Sequence, residues 1–198
     1  MNAALKKEGV TSKDISAILR SGRSGVLQGG ILFDGNNLLG ILENGRRIEF
    51  CSLLSSMGIN DKMIDYGGRL LYVMAQNSGV SISSFEESLN NNGIALETQG
   101  MTPVYGQGGE LKGMKGDCDV LLTVRAMQWL YEDGVDFLIL ITGDRDFLPV
   151  REAYHNLGKS VFFCGVENKN AAHLVVNRNR EGFIDLEKIR PSVFFKKY

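Results

Sequence analysis

Histidine is nearly absent from this chain: His155 and His173 are the only two in 198 residues. A histidine-rich zinc centre is therefore all but excluded. Cysteine is almost as scarce. Cys51, Cys118 and Cys164 lie far apart, form no CxxC pair and are odd in number. That argues against a disulfide framework, and reduced thiols in or near the core of a cytosolic protein are expected. Neither sign of charge is in excess, with 22 basic against 23 acidic residues and a net charge of −1. Bulk charge cannot hold such a chain to nucleic acid, so any nucleic-acid surface has to be a local patch. No apolar run approaches membrane-spanning length, and Met1-Asn2-Ala3-Ala4-Leu5-Lys6-Lys7-Glu8 lacks the apolar core of a signal peptide. A cytoplasmic location and no membrane partner are expected. Motifs are missing too. There is no GxxxxGK[ST] phosphate loop and no GxSxG elbow, and the turn Asp34-Gly35-Asn36-Asn37-Leu38-Leu39-Gly40 does not fit GxGxxG. Those absences count against nucleotide-binding regulators and activated-serine hydrolases.

What remains are carboxylates at the ends of apolar strands. Phe137-Leu138-Ile139-Leu140-Ile141 reads as a strand buried on both faces, and it runs into Thr142-Gly143-Asp144-Arg145-Asp146-Phe147. Gly30-Ile31-Leu32-Phe33 runs in the same way into Asp34-Gly35-Asn36-Asn37. Taken singly, Asp34 reads as a turn residue, and Asp144 and Asp146 as helix caps. Taken together, on neighbouring parallel strands, they aim three carboxylates at one crevice, where open α/β sheets bind ligands.

The rest of the chain alternates. Strands are expected at 30–34, 70–75, 94–98, 136–142 and 159–165. Helices are expected at 46–57, at 81–89 behind a capping serine, at 118–131 behind Asp117, and at 147–157. Residues 170–190 read as a final helix and a short edge segment, Phe183-Ile184-Asp185-Leu186. Residues 99–116 hold six of the 24 glycines and read as a long irregular loop. The pattern implies a three-layer α/β/α fold with a central, mostly parallel sheet. Residues 1–28 form an N-terminal arm or accessory helix, 29–190 the domain and 191–198 a tail.

If the glycine-rich segment returns to the sheet's C-terminal edge, Asp119 joins Asp34, Asp144 and Asp146. Four carboxylates repel one another unless a cation compensates. Hard oxygen ligands select Mg²⁺ or Mn²⁺, and such a cluster suits phosphodiester hydrolysis. Asp117 reads mainly as a helix cap. Lys112, Lys115 and Arg145, with Arg46 and Arg47 as further candidates, are the basic residues near the crevice, and Tyr105 could stack on a base, although a plain surface tyrosine is the favoured reading.

These residues resemble the NYN family of PIN-like nucleases, in particular its LabA-like branch. The family's D-G-x-N motif is matched by Asp34-Gly35-Asn36-Asn37, and its K-G-x-D-V helix start approximately by Lys115-Gly116-Asp117-Cys118-Asp119-Val120. Its [ST]-G-D-x-D-F-x-P motif is matched by Thr142-Gly143-Asp144-Arg145-Asp146-Phe147-Leu148-Pro149, followed by Gly158-Lys159-Ser160-Val161. The resemblance implies a PIN-like, Rossmann-like fold and metal-dependent cleavage of RNA, single-stranded or structured. It carries catalytic and metal-holding roles onto Asp34, Asp119, Asp144 and Asp146, with Asn37, Thr142 and Asp117 shaping the site and Lys112, Lys115 and Arg145 binding nucleic acid. Two departures stand out. An extra residue precedes Asp119, so Asp117 competes for its role. Arg125 stands where many relatives have an acid, about 240° around the helix from Asp119, with a phosphate contact or weakened activity as the readings. The alternative function is a non-catalytic RNA-binding or protein-interaction module on the same fold, and the sequence leaves room for a homodimer.

Overall fold

The computed structural model describes residues 25–41, 46–77, 79–166, 183–186 and 194–196. The expected N-terminal arm falls almost wholly, and the expected helix after residue 170 wholly, outside the described residues. The first strand, β1 (Leu27–Asp34), starts three residues earlier than its apolar run suggests. It is followed by α1 (Gly35–Ile41), β2 (Arg46–Ile48), α2 (Phe50–Ser56), β3 (Ile64–Asp65), β4 (Leu70–Gln76), α3 (Ser83–Asn90) and β5 (Ala95–Gly100). Then come β6 (Thr102–Tyr105), β7 (Leu111–Lys115), α4 (Asp119–Tyr131), β8 (Phe137–Ile141), a 3-10 turn (Arg145–Phe147), α5 (Leu148–Asn156), β9 (Ser160–Gly165), β10 (Phe183–Asp185) and β11 (Phe194–Lys196).

The main sheet runs β10-β9-β8-β1-β4-β5, every neighbouring pair is parallel, and β3 continues the ladder beside the start of β1. Its strands lack the apolar-polar alternation of a half-exposed sheet because both faces are covered. Ile31, Phe33, Tyr72, Ile139, Ile141 and Phe162 point to one face, with α2 and Leu89 of α3 packed on it. Leu32, Val73, Leu138, Leu140, Val161 and Phe163 point to the other, under Leu122, Ala126 and Leu130 of α4 and Val150 and Tyr154 of α5. Each such side chain stabilises the fold by roughly 1.5–3 kcal/mol relative to exposure. The three-layer α/β/α expectation holds.

The order of the strands decides where a ligand can sit. From β1 the chain builds outward to β4 and β5. It then crosses back by α4 and builds the opposite half through β8, β9 and β10. The order therefore reverses between β1 and β8, and the crevice beyond their C-terminal ends is the switch point where open α/β sheets bind ligands.

Several local expectations need correction. Residues 46–48 are not helical; they pair antiparallel with β11, which also docks part of the expected tail. The helix behind them starts at Phe50 and is capped by Glu49, whose carboxylate accepts from Ser52 N at 2.6 Å. Ser81 does not cap α3; the cap position is Ile82, without a side-chain bond, and Ser81 Oγ instead pairs with Ser83 Oγ at 3.1 Å. The supposed irregular loop at 99–116 is largely the β6–β7 hairpin, paired from Thr102↔Lys115 to Tyr105↔Leu111 with a bulge. Cys51 is exposed, whereas Cys118 and Cys164 are buried free thiols as expected.

Candidate active site

Asp34 ends β1 and is buried at 2% exposure. A carboxylate is tolerated there because both oxygens are used. Oδ1 accepts from Asn37 N at 3.0 Å and Oδ2 from Thr142 Oγ1 at 2.7 Å. Thr142 follows β8 directly, and its hydroxyl also accepts from Asp144 N at 3.1 Å. Asn37 Oδ1 accepts from Gly143 N at 2.8 Å. The two acid-bearing turns are thus laced together across the switch point, as expected of parallel neighbours. Burial pushes the Asp34 carboxyl up, the bonds from Asn37 and Thr142 pull it down, and the charge of Asp144 pushes it up again, with a net rise.

The turn after Asp34 leaves no room for bulk. A side chain at Gly35 would run into the Tyr72 ring, the Val73 carbonyl and Met74, so α1 can start flush against β4 only from glycine. Tyr72 lies beneath, stacked on Phe33 with ring centroids 5.8 Å apart. Burial and the nearby Asp34 charge hold its phenol neutral, well above the ordinary value.

Asp144 caps the 3-10 turn, its Oδ1 accepting from Asp146 N at 2.9 Å. The helix-cap reading of Asp144 therefore holds in the structure. Asp119 opens α4, and the hairpin does return it to the sheet edge. Its carboxyl is pushed up to about 6, first by partial burial and then by the charges of Asp117, Asp34, Asp144 and Asp146. The charges of all four other acids singled out in the sequence thus act on Asp119. Asp117 is exposed and its Oδ1 accepts from Asp119 N at 3.1 Å, although Cys118 occupies the cap position itself. Cys118 is buried next to the cluster. Burial and the charges of Asp34 and Asp119 push its thiol up to about 11, so it is neutral and unreactive at ordinary pH.

The donor set suits a hard cation, because it is all carboxylate oxygen at one negatively charged place. Among the described residues, however, no three His, Cys, Asp or Glu side chains stand close enough to hold a metal ion directly. Mg²⁺ accommodates this arrangement, since it keeps several of its waters and takes only one or two protein carboxylates. The residues therefore suit a hydrated divalent cation better than a fully protein-caged one.

Arg145 is exposed between Asp144 and Asp146, and Lys112 and Lys115 are exposed on β7. Tyr105 is 61% exposed on β6. Arg46 and Arg47 lie on β2, with side chains outside the described part of the structure. Arg125 is held elsewhere. Its guanidinium makes a two-point pair with Glu97, at 3.0 and 2.7 Å, and donates to Gln128 Oε1 at 2.6 Å. Glu97 and Asp34 are both in register with Val73, so two strand spacings, about 10 Å, separate them across the sheet. Arg125 is thus engaged away from the acids.

The NYN domain model matches residues 30–187. Over 92 residues the chain is 33% identical to an uncharacterized protein of Methanocaldococcus jannaschii, a stretch covering 43% of this chain and 38% of that protein's length. The match therefore spans well under half of that relative. In three dimensions the chain is similar to the crystal structure of a protein of unknown function from Vibrio parahaemolyticus. The TM-score is 0.64 at 18% identity, covering 87% of this chain and 99% of that one, and at this identity the likeness bears on the fold alone. No helix among the described residues is long and apolar enough to cross a membrane. Because the family match runs from the first core strand to the last and takes in both acid-bearing turns, the chain belongs to the NYN domain family of PIN-like nucleases.

Proposed function

We propose that this chain is a Mg²⁺- or Mn²⁺-dependent ribonuclease that hydrolyses RNA phosphodiester bonds in the crevice between the ends of β1 and β8. The observation that carries the reading is the convergence of Asp34, Asp119, Asp144 and Asp146 at the strand-order switch, with Asp119 pushed up to about 6 by its neighbours and its burial. A cluster that strained electrostatically gains from a cation. Bound there, the metal would activate water and offset the charge on the leaving oxygen. The chain's own part is positional. Asp34 is the rigid member, pinned by Asn37 and Thr142. Asp119 holds a proton below about pH 6 and releases it above, so its charge becomes available at neutral pH. Arg145, Lys112 and Lys115 offer the positive charge that an RNA backbone needs to approach an acidic crevice. Placement in the LabA-like branch rests on the Thr142–Pro149 motif.

The second reading is a non-catalytic RNA-binding module, favoured by Arg125 being tied to Glu97 rather than aimed at the acids. One experiment separates the two: labelled single-stranded RNA incubated with Mn²⁺, with Mg²⁺ and with chelator. Cleavage with either metal that falls by orders of magnitude in Asp34→Asn and Asp144→Asn supports the nuclease. Binding without cleavage in any condition, or cleavage indifferent to both substitutions, leaves the binding module.

A further inference from the structure

Asn36 lies between Gly35 and Asn37, and its side chain makes a different set of bonds from either neighbour's. Its Oδ1 accepts from Ala75 N at 2.9 Å. Its Nδ2 donates to Gly116 O at 3.3 Å and approaches Cys118 Sγ at 3.6 Å. Those partners are 39, 80 and 82 residues away in sequence. The bond to Ala75 has a plain cause. The β1 ladder with β4 ends at Asp34↔Val73, so beyond Val73 the β1-facing edge of β4 has no strand to pair with. The Asn36 amide supplies the missing rung and satisfies a backbone donor that would otherwise lose its partner.

The far side of that amide holds the start of α4. The first buried residue of that helix after its cap is Leu122, so Asp119 takes its position from the segment ahead of it, Gly116 to Cys118. That segment is pressed on β4: a side chain at Gly116 would collide with Ala75 and crowd Met101. Repulsion from Asp34, Asp144 and Asp146 pushes Asp119 outward, and the Asn36 bond opposes this. Consecutive amides thus serve opposite flanks of the cluster. Asn37 fixes the turn carrying Asp144 through Gly143 N, and Asn36 fixes the segment carrying Asp119.

We propose that Asn36 is a positioning residue that sets the metal affinity of the site by strapping the Gly116–Cys118 segment, and with it Asp119, to the end of β4. The proposal rests on the metal-dependent reading above. Asn36→Ser is too short to span from Ala75 to Gly116, and Gly116→Ala breaks the same strap from the other side. Mn²⁺ affinity is measured by titration calorimetry on the metal-free full chain, with thermal melts in chelator alongside. Groups bonded directly to a metal ligand typically control affinity by about 10–100-fold, and Asn36, which acts one link further out through Gly116, is expected at the lower end of that range. Each variant is expected to bind Mn²⁺ at least tenfold more weakly while melting cooperatively, and to lose kcat with KM for RNA within about twofold. If Asn36→Ser does not fold, Gly116→Ala decides. Affinity within threefold of the parent in a folded variant overturns the proposal and leaves the nuclease reading standing. A parent chain that binds no Mn²⁺ overturns both.

Discussion

Asp119→Asn should make the metal-free protein more heat-stable at pH 7.5 and leave it unchanged near pH 4. The Asp119 carboxyl rises from 3.8 to about 6 on folding. Folded chains therefore bind its proton more tightly than unfolded ones. The resulting cost is absent below about pH 4, grows as pH climbs towards 6 and is complete above it. Taken at face value, the rise is worth about 3 kcal/mol. Asp119 is only half-buried, and solvent screening reduces the figure to on the order of 1 kcal/mol. The helix dipole works the other way, favouring a carboxylate in the first turn by about 0.3–1 kcal/mol. Burial, and after it repulsion from four other acids, outweighs the dipole, because together they leave the group raised. Asparagine keeps the shape and the bond from Asp119 N to Asp117. For a chain of this size 1 kcal/mol moves Tm by about 2–4 °C, which melts in chelator resolve. Adding Mn²⁺ should reverse the ranking. At a hundredfold excess over Kd the parent gains about 2.7 kcal/mol by mass action, and the variant gains less. A variant that melts lower than the parent at pH 7.5, or whose gain is equal at both pH values, refutes the electrostatic account of the cluster.

Two further outcomes are expected. Asp117→Asn should cost at most about 1 kcal/mol, the worth of a capping bond, and leave RNA cleavage within a few-fold; if it abolishes cleavage while Asp119→Asn is silent, the roles of these two acids are exchanged. Arg145→Ala should weaken RNA binding across sequences and lower the salt-dependence slope by about one, measured by fluorescence anisotropy at several ionic strengths, with the Mn²⁺ response of the melt intact.

Much of this architecture was legible in the chain. The runs at Ile31–Phe33 and Phe137–Ile141 are apolar at every position, which only strands covered on both faces require. Acids at the same end of both runs located the crevice. The hairpin was hidden because every residue of β6 and β7 is exposed; without a buried face no alternation appears, and the glycines read as loop. The strand at Arg46–Ile48 was masked by a helix-like apolar pattern beginning at Ile48, and its partner lies near the other end of the chain. Arg125 looked available for a phosphate because its partner, Glu97, lies 28 residues back on β5. Asn36 stands at the unconstrained position of a short motif, and nothing local announces bonds to Ala75 and Gly116. Apart from the hairpin, what escaped sequence reasoning was in each case a non-local pairing.

The central place of β1 has a kinetic consequence. Beyond the short β3, its first long partner, β4, begins about 40 residues on, and its other long partner, β8, leads directly into Thr142, which lies 108 residues from Asp34. Closing that span before any contact rewards it makes assembly slow. Until β8 arrives, the half built from β1, β4 and β5 presents Gly29 to Phe33 as a bare, apolar edge, a template for pairing with another chain. During synthesis the pairing of the two acid-bearing turns and the end of this hazard therefore arrive together, as β8 takes its place beside β1.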